Sequence, residues 1–266
     1  MLSADGHGFG WIPNREGADR VAFAYHPTAV VGALPPRVYL NTPKSLDQGS
    51  IGSCTAHGAG MAVAILELAR GAQIWLSRLM VYRGARKRLG PQYVEQDSGA
   101  MPDDALDAIR DGEAAPESLW PYDVTRFRDP PSPEAVAVAK PHTVEFRPLA
   151  GDVVHEAKAA LAAGFPVNLG FQIRTDRRGG LQVDHVGADG LYPWDTTQPL
   201  ARAGHDVLLV GYGSDAREFL AVNSWGSAWG CELPGQPERG RGCFRIPEAM
   251  FASSDVADRS AVVDWE

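Results

Sequence analysis

The feature that most limits how this chain can fold is a change of texture at Asp129–Pro141, "DPPSPEAVAVAKP", where three prolines precede a short alanine-rich piece. Before it the pattern is helical. "CTAHGAGMAVAILELARG", from Cys54 to the stop at Gly71, carries apolar residues at helical spacing, and further helices are expected over Leu76–Arg88 and Pro102–Asp111. After it the chain turns strand-rich. "HTVEFRPL", "FPVNLGFQI", "HDVLLVGYG", "EFLAVNSWG" and "GCFRIPEAMF" read as strands between turn signals, with one helix at Asp152–Gly164. A helical half followed by a β-rich half implies two lobes, about 44–130 and about 131–266, and a cleft between lobes is where chemistry commonly sits. Residues 1–33 are Gly/Pro-punctuated and polar with scattered aromatics, which suits a strap or tail.

With 266 residues, 44% of them hydrophobic, the chain is long enough for a substantial core. A net charge of −8, with basic residues scattered apart from "YRGARKR" at Tyr82–Arg88, argues against a nucleic-acid partner. No stretch has the apolar length of a membrane span, and the first twenty residues lack the basic start and apolar core of a secretory signal, so the expected location is the cytoplasm or export without a cleaved signal. Three cysteines are too few for a disulfide framework. Cys231 and Cys243 bracket the insert "ELPGQPERGRG" and are either bridged across it or free thiols.

Cys54 stands between a glycine-rich approach, "LDQGSIGS", and the start of a helix. A thiol attacks as its thiolate, which a helix N-terminus and a nearby imidazolium both favour. Attack on a carbonyl creates an oxyanion that needs fixed donors, and Gln48 on the Gly49/Gly52 loop is the side-chain candidate beside the Cys54 backbone N–H. Of seven histidines, His185 and His205 are the contenders for the base. His205 is preferred because the strand it opens is followed closely by one ending in Asn223, whose carbonyl can hold the imidazole by antiparallel pairing. His57, three residues after Cys54, shares its helix face; Cys-x-x-His alone is a weak metal pattern, so no metal or cofactor is expected and the role of His57 stays open.

These residues resemble the papain-like cysteine peptidases. "DQGSIGSC" is similar to that family's nucleophile segment, "DSGAMPDDALDAIRDGEAAPESLWPYD" to its glycine-containing cleft wall, "GHDVLLVGYG" to its histidine strand and "NSWGSAWG" to its asparagine turn, in the family's order. The resemblance implies an α+β fold with a helical left lobe and an antiparallel β-barrel-like right lobe over residues 34–266, and a monomer that hydrolyses peptide or protein substrates through a thioester. It implies Cys54 as nucleophile, His205 as base and acid, Asn223 as orienter, Gln48 as oxyanion donor and Trp225 as cover for the asparagine–histidine bond. Ser98 and Gly99 would bind extended substrate backbone. Asp206 would line a side-chain pocket and favour a basic residue there.

Ile51 and Thr55 replace the cysteine and tryptophan usual in that family, and together with "GFGW" they resemble its bacterial and viral branch. Too few residues precede Leu34 for the family's long helical pro-region, so the expectation is an enzyme made active or one restrained by residues 1–33. A transpeptidase using the same acyl-enzyme and a silent peptide-binding scaffold are the alternatives.

Overall fold

A computed structural model describes residues 1–15 and 33–264. The chain enters the fold with the short strand β1 (Arg37–Tyr39), and a glycine-rich loop then delivers it into α1 (Cys54–Ala69). Every residue of α1 from Cys54 to Leu66 is buried, because α2 (Arg78–Leu89) and α3 (Pro102–Arg110) pack on one side and the sheet on the other. Helix α2 is capped by Ser77, whose hydroxyl accepts the Met80 N–H, and α3 starts on Pro102 with Asp103 and Asp104 in its first turn, all sequence-local start signals. The proline-rich break resolves into α4 (Pro133–Val138), capped by Ser132.

The second half supplies β2 (Val144–Pro148), α5 (Val153–Ala162), β3 (Val167–Arg174), β4 (Leu200–Gly213), β5 (Glu218–Val222), β6 (Cys243–Pro247), α6 (Glu248–Phe251) and β7 (Val256–Asp264). The strands form an antiparallel sheet in the order β2-β7-β3-β4-β5-β6, with β1 paired to the far end of β4. The fold is therefore α+β, as expected. Two expectations need correction. The right lobe is not barrel-like, since among the described residues the edges β2 and β6 do not pair and the sheet stays open. "PEAMF" is not strand: after Pro247 the chain turns into α6.

Strand β4 is the axis of the molecule. It pairs β3 through Phe171↔His205 and Gly170↔Asp206, pairs β5 through Leu208↔Val222, and packs against α1. Cys54 at the head of α1 and His205 on β4 thus face the same junction between helices and sheet. Cys231 and Cys243 oppose each other in an antiparallel bridge that closes the Gly/Pro-rich insert, and both are free thiols. None of the described helices is long and apolar enough to cross a membrane.

Candidate active site

Cys54 is the first residue of α1 and is fully buried. Its sulfur is approached by the backbone N–H groups of Asp206, Gly10 and Thr55, each favouring the thiolate. Burial outweighs them, with the Asp206 charge adding to it, and pushes the thiol up to about 12. Gln48, also fully buried, aims its amide at the same junction: Oε1 accepts from the Ser224 hydroxyl, and Nε2 donates to the carbonyls of Ile51 and Gly8 at 2.8 and 2.9 Å.

His205 Nε2 lies 2.7 Å from Asn223 Oδ1. That oxygen also accepts the Ser224 N–H, so it can only accept from the imidazole, and the ring proton resides on Nε2. Nδ1 is left buried and without a partner, free to take a proton from a thiol. Asn223 is held from below, its N–H donating to Gly242 and its carbonyl accepting from Ser45. The Trp225 ring covers the imidazole at 5.1 Å. Burial pulls His205 down to about 4, against the Asn223 bond and with a smaller contribution from His7. At neutral pH this arrangement therefore holds a neutral thiol beside a neutral imidazole.

The groups that enclose the site come from the chain's own N-terminus. Five consecutive residues, "HGFGW" from His7 to Trp11, each meet one of its parts. The His7 ring stacks on Trp225 at 5.0 Å, the Gly8 carbonyl takes the Gln48 donor, and Phe9 stands edge-on to His205 at 5.7 Å. Gly10 directs its N–H at Cys54, and its carbonyl accepts from Ala100 at 2.8 Å. Trp11 then lies over Gly170 and Gly204, where any Cβ would strike its ring, and donates its indole N–H to Asp258 Oδ2 at 2.7 Å. Neither glycine of the segment can be larger: a Cβ would come to 2.5 Å from Ile51 at Gly8, and to 1.8 Å from the Gly52 carbonyl at Gly10.

The profile of the papain family cysteine proteases matches residues 39–233. The chain belongs to the papain family of cysteine proteases. It is 28% identical over 244 residues to an uncharacterized peptidase C1-like protein of Acanthamoeba polyphaga mimivirus, covering 87% of this chain and 74% of that one. Among solved structures it is similar to xylellain, a cysteine protease from Xylella fastidiosa, at 28% identity and a TM-score of 0.81, covering 100% of this chain and 98% of that one. It also shares the fold of a digestive procathepsin L 3 from Tenebrio molitor, at 20% identity and a TM-score of 0.68, covering 98% of this chain and 76% of that one. Membership makes this chain a cysteine peptidase acting on peptide or protein substrates, and the expected likeness to bacterial and viral members is found.

In this papain-family protease the other residues singled out from sequence are placed as follows. Gly99 has φ +77° and abuts the Gly10 carbonyl, with 2.0 Å left for any Cβ; the Ser98 hydroxyl only caps the Gly99 carbonyl. The Asp206 carboxylate is buried against the second turn of α1, bonded to Asn168 at 3.0 Å and leaving only 2.4 Å for a Cβ on Gly58. Burial raises its pKa well above the ordinary carboxylate range. The rival His185 is exposed and bonded to Asp176 at 2.6 Å. His57 is no metal ligand, because Arg78 donates to its Nε2 at 2.9 Å while Nδ1 donates to the Ser53 carbonyl at 3.0 Å. Burial and the Arg78 charge keep it neutral.

Sequence reasoning missed several contributors. Tyr122 bonds the Ser53 hydroxyl at 2.6 Å and donates to the Gln48 carbonyl at 2.8 Å. Arg78 lies over the Tyr122 ring and is fixed by Glu117 at 2.7 Å. This cluster pins the backbone on both sides of the glycine loop. Asp258 was missed as well, although the unusual run of aromatics and glycines at His7–Trp11 signalled that something must receive it.

Proposed function

We propose that this protease cleaves peptide bonds by a Cys54–His205–Asn223 mechanism. The observation that supports it best is the pairing of His205 Nε2 with Asn223, which leaves Nδ1 unpartnered at the Cys54 junction. Nδ1 takes the Cys54 proton as the sulfur attacks the scissile carbonyl. The developing oxyanion is received by Gln48 Nε2, whose present partner, the Gly8 carbonyl, marks where a carbonyl oxygen fits. The imidazolium then protonates the leaving amine, and water activated by the same Nδ1 hydrolyses the thioester. Trp225 shields the His205–Asn223 bond from water, which strengthens it. Gly99 and Ala100 offer backbone groups to an extended chain, as Ala100 now does to Gly10 and Ile12.

The segment 1–15 is the restraint on this activity, since it occupies the oxyanion donor, the nucleophile and the substrate-binding backbone at once. Residues 16–32 of the same extension lie outside the described residues. The test is digestion of a proteome-derived peptide library by the wild type and Cys54→Ala, with and without residues 1–15. Peptides whose appearance depends on Cys54 support the mechanism. An identical product list from Cys54→Ala refutes it.

A further inference from the structure

The basic run Tyr82–Arg88 on α2 is only partly a surface feature, and two of its members have contacts the catalytic reading does not use. Tyr82 and Arg86, one turn apart, are fully buried. The Arg86 guanidinium lies over the Tyr82 ring, 4.2 Å from its centroid, and donates through Nη1 to the carbonyls of Val94 and Gln96 at 2.7 and 2.8 Å. It thereby holds both the phenol and the stretch of chain that leads into Asp97. The Tyr82 hydroxyl accepts the buried Gly99 N–H at 3.0 Å, so its own proton goes to Asp97 Oδ1, 2.6 Å away. Asp97 is otherwise exposed, but the same Oδ1 also accepts the Gly52 N–H at 2.9 Å. An unbroken series of hydrogen bonds thus joins the wall at Gly99 and Ala100, which offers backbone groups to an extended chain, to the loop that ends in Cys54 two residues after Gly52. No disulfide ties the two, since apart from Cys54 the chain has only Cys231 and Cys243, which oppose each other at the stem of the Gly/Pro-rich insert.

We propose that Tyr82 is a positioning residue for peptide cleavage, with Asp97 as its partner. Together they make the substrate-binding wall and the nucleophile loop one rigid body, so that backbone pairing at Gly99 and Ala100 sets the distance of the scissile carbonyl from Cys54. The proposal rests on the peptidase reading above. Neither residue touches the reacting atoms; what they supply is alignment, and a misplacement on the order of 1 Å costs roughly a hundredfold in rate. That cost falls only on substrates that use the wall. A substrate with no peptide backbone gains nothing from the tie, so Tyr82 favours extended chains over small acyl compounds.

The experiment uses the full chain carrying Trp11→Ala, so that the N-terminal segment does not mask the cleft, and compares Cys54-dependent kcat/KM on a blocked tetrapeptide anilide and on para-nitrophenyl acetate. Cys54 titration normalises each variant for folded protein. Adding Tyr82→Phe should lower the peptide-to-ester ratio roughly tenfold, the worth of one buried hydrogen bond, and Asp97→Ala should do the same. Asp97→Asn keeps an Oδ1 that can accept from both Tyr82 and Gly52, and should hold the ratio within about twofold of the parent. Tyr82→Phe and Asp97→Ala combined should be no worse than either alone, because both cut the same series of bonds. A merely structural loss would lower both substrates alike. An unchanged ratio in Tyr82→Phe, or an Asp97→Asn chain as impaired as Asp97→Ala, overturns the proposal. If the parent cleaves no peptide in a Cys54-dependent way, the peptidase reading fails, and the tie is read without turnover by amide hydrogen exchange. Asp97→Ala should then accelerate exchange at Gly99, to which it is not bonded, at least tenfold alongside Gly52; protection of Gly99 that survives Asp97→Ala overturns the proposal.

Discussion

Replacing Trp11 by alanine should convert a restrained protease into a free one, by an amount the structure lets us work out. Trp11 is 7% exposed. An indole buries ~200 Å², and at ~25 cal/mol per Å² that burial stabilises the docked segment by roughly 5 kcal/mol before ordering costs. Truncation of a buried tryptophan to alanine costs about 3–5 kcal/mol. The lower end applies here, because an emptied pocket at a cleft fills with water. Each ~1.4 kcal/mol is tenfold in an equilibrium, so about 3 kcal/mol raises the open fraction roughly a hundredfold wherever the wild type is mostly closed.

Segment and substrate compete for one cleft, so the change appears in KM and not in kcat. A binding-competent state of low population divides apparent affinity by its fraction and leaves the saturated rate alone. Initial rates on a small fluorogenic peptide, normalised by Cys54 titration, should show KM falling toward a hundredth of the wild-type value at constant kcat. Trp11→Phe keeps most of the area but removes the N–H to Asp258, and should lie between the two, near a tenfold fall. An alanine variant with the wild-type KM, or one that changes kcat alone, would refute the claim that this segment competes with substrate.

The other predictions are more local. Gly10→Ala places a Cβ 1.8 Å from the Gly52 carbonyl, so the segment cannot seat and iodoacetamide alkylation of Cys54 at pH 7 should accelerate at least tenfold; an unchanged rate would mean that the Gly10 contact does not guard the thiol. Tyr122→Phe removes the hydroxyl shared by Gln48 and Ser53 and should lower kcat about threefold to tenfold while leaving the alkylation rate of Cys54 unaltered, since the Gln48 donor moves and the nucleophile, held at the head of α1, does not. Acid should destabilise the closed chain through His205, whose pKa falls from 6.5 unfolded to about 4 folded. The unfolded state binds the proton first, so stability present above pH 6.5 is lost as pH falls toward 4, by roughly 3 kcal/mol from this group. Asp206, raised by burial, acts in the opposite sense, so the readout is the difference in urea midpoint between wild type and His205→Gln at pH 7.5 and pH 4.5.

Much of this arrangement is legible in the sequence, for local reasons. The helix at Cys54 announces itself by apolar spacing, and the strand carrying His205 and the one that ends just before Asn223 by their apolar runs, so the sequence alone places Cys54 and His205 on their elements and Asn223 within one residue of its strand. What escapes is set by tertiary approach. Strand β7, "VADRSAVVD", does not read as a strand because Asp258 and Arg259 interrupt its apolar pattern; those charges are tolerated because Trp11 meets the first and the carbonyls of Phe251 and Ser253 receive the second. The surroundings of Asp206 escape for a related reason. Register alone puts Asp206 and Gly170 side by side, but the bond from Asn168 and the close pass of Gly58 decide where the carboxylate goes. The role of His57 stays open in the sequence, and only the long reach of Arg78 from α2 fixes it as a structural donor to Ser53.

On the proposed function, the segment restrains the enzyme electrostatically as well as by occupancy. With the segment in place Cys54 and His205 are fully buried, and it is burial that puts the thiol at about 12 and the imidazole at about 4. Proton transfer from sulfur to nitrogen is then disfavoured, because neither product ion is solvated. The Gly10 N–H partly offsets this for the sulfur. Opening the cleft takes Phe9 from His205 and Gly10 from Cys54 and returns water to both groups, while the donors that favour the thiolate and belong to the scaffold, the Asp206 and Thr55 N–H groups and the start of α1, stay in place. On this reading the thiolate–imidazolium pair belongs to the open enzyme, and a substrate that displaces the segment also supplies the conditions under which Cys54 becomes a nucleophile.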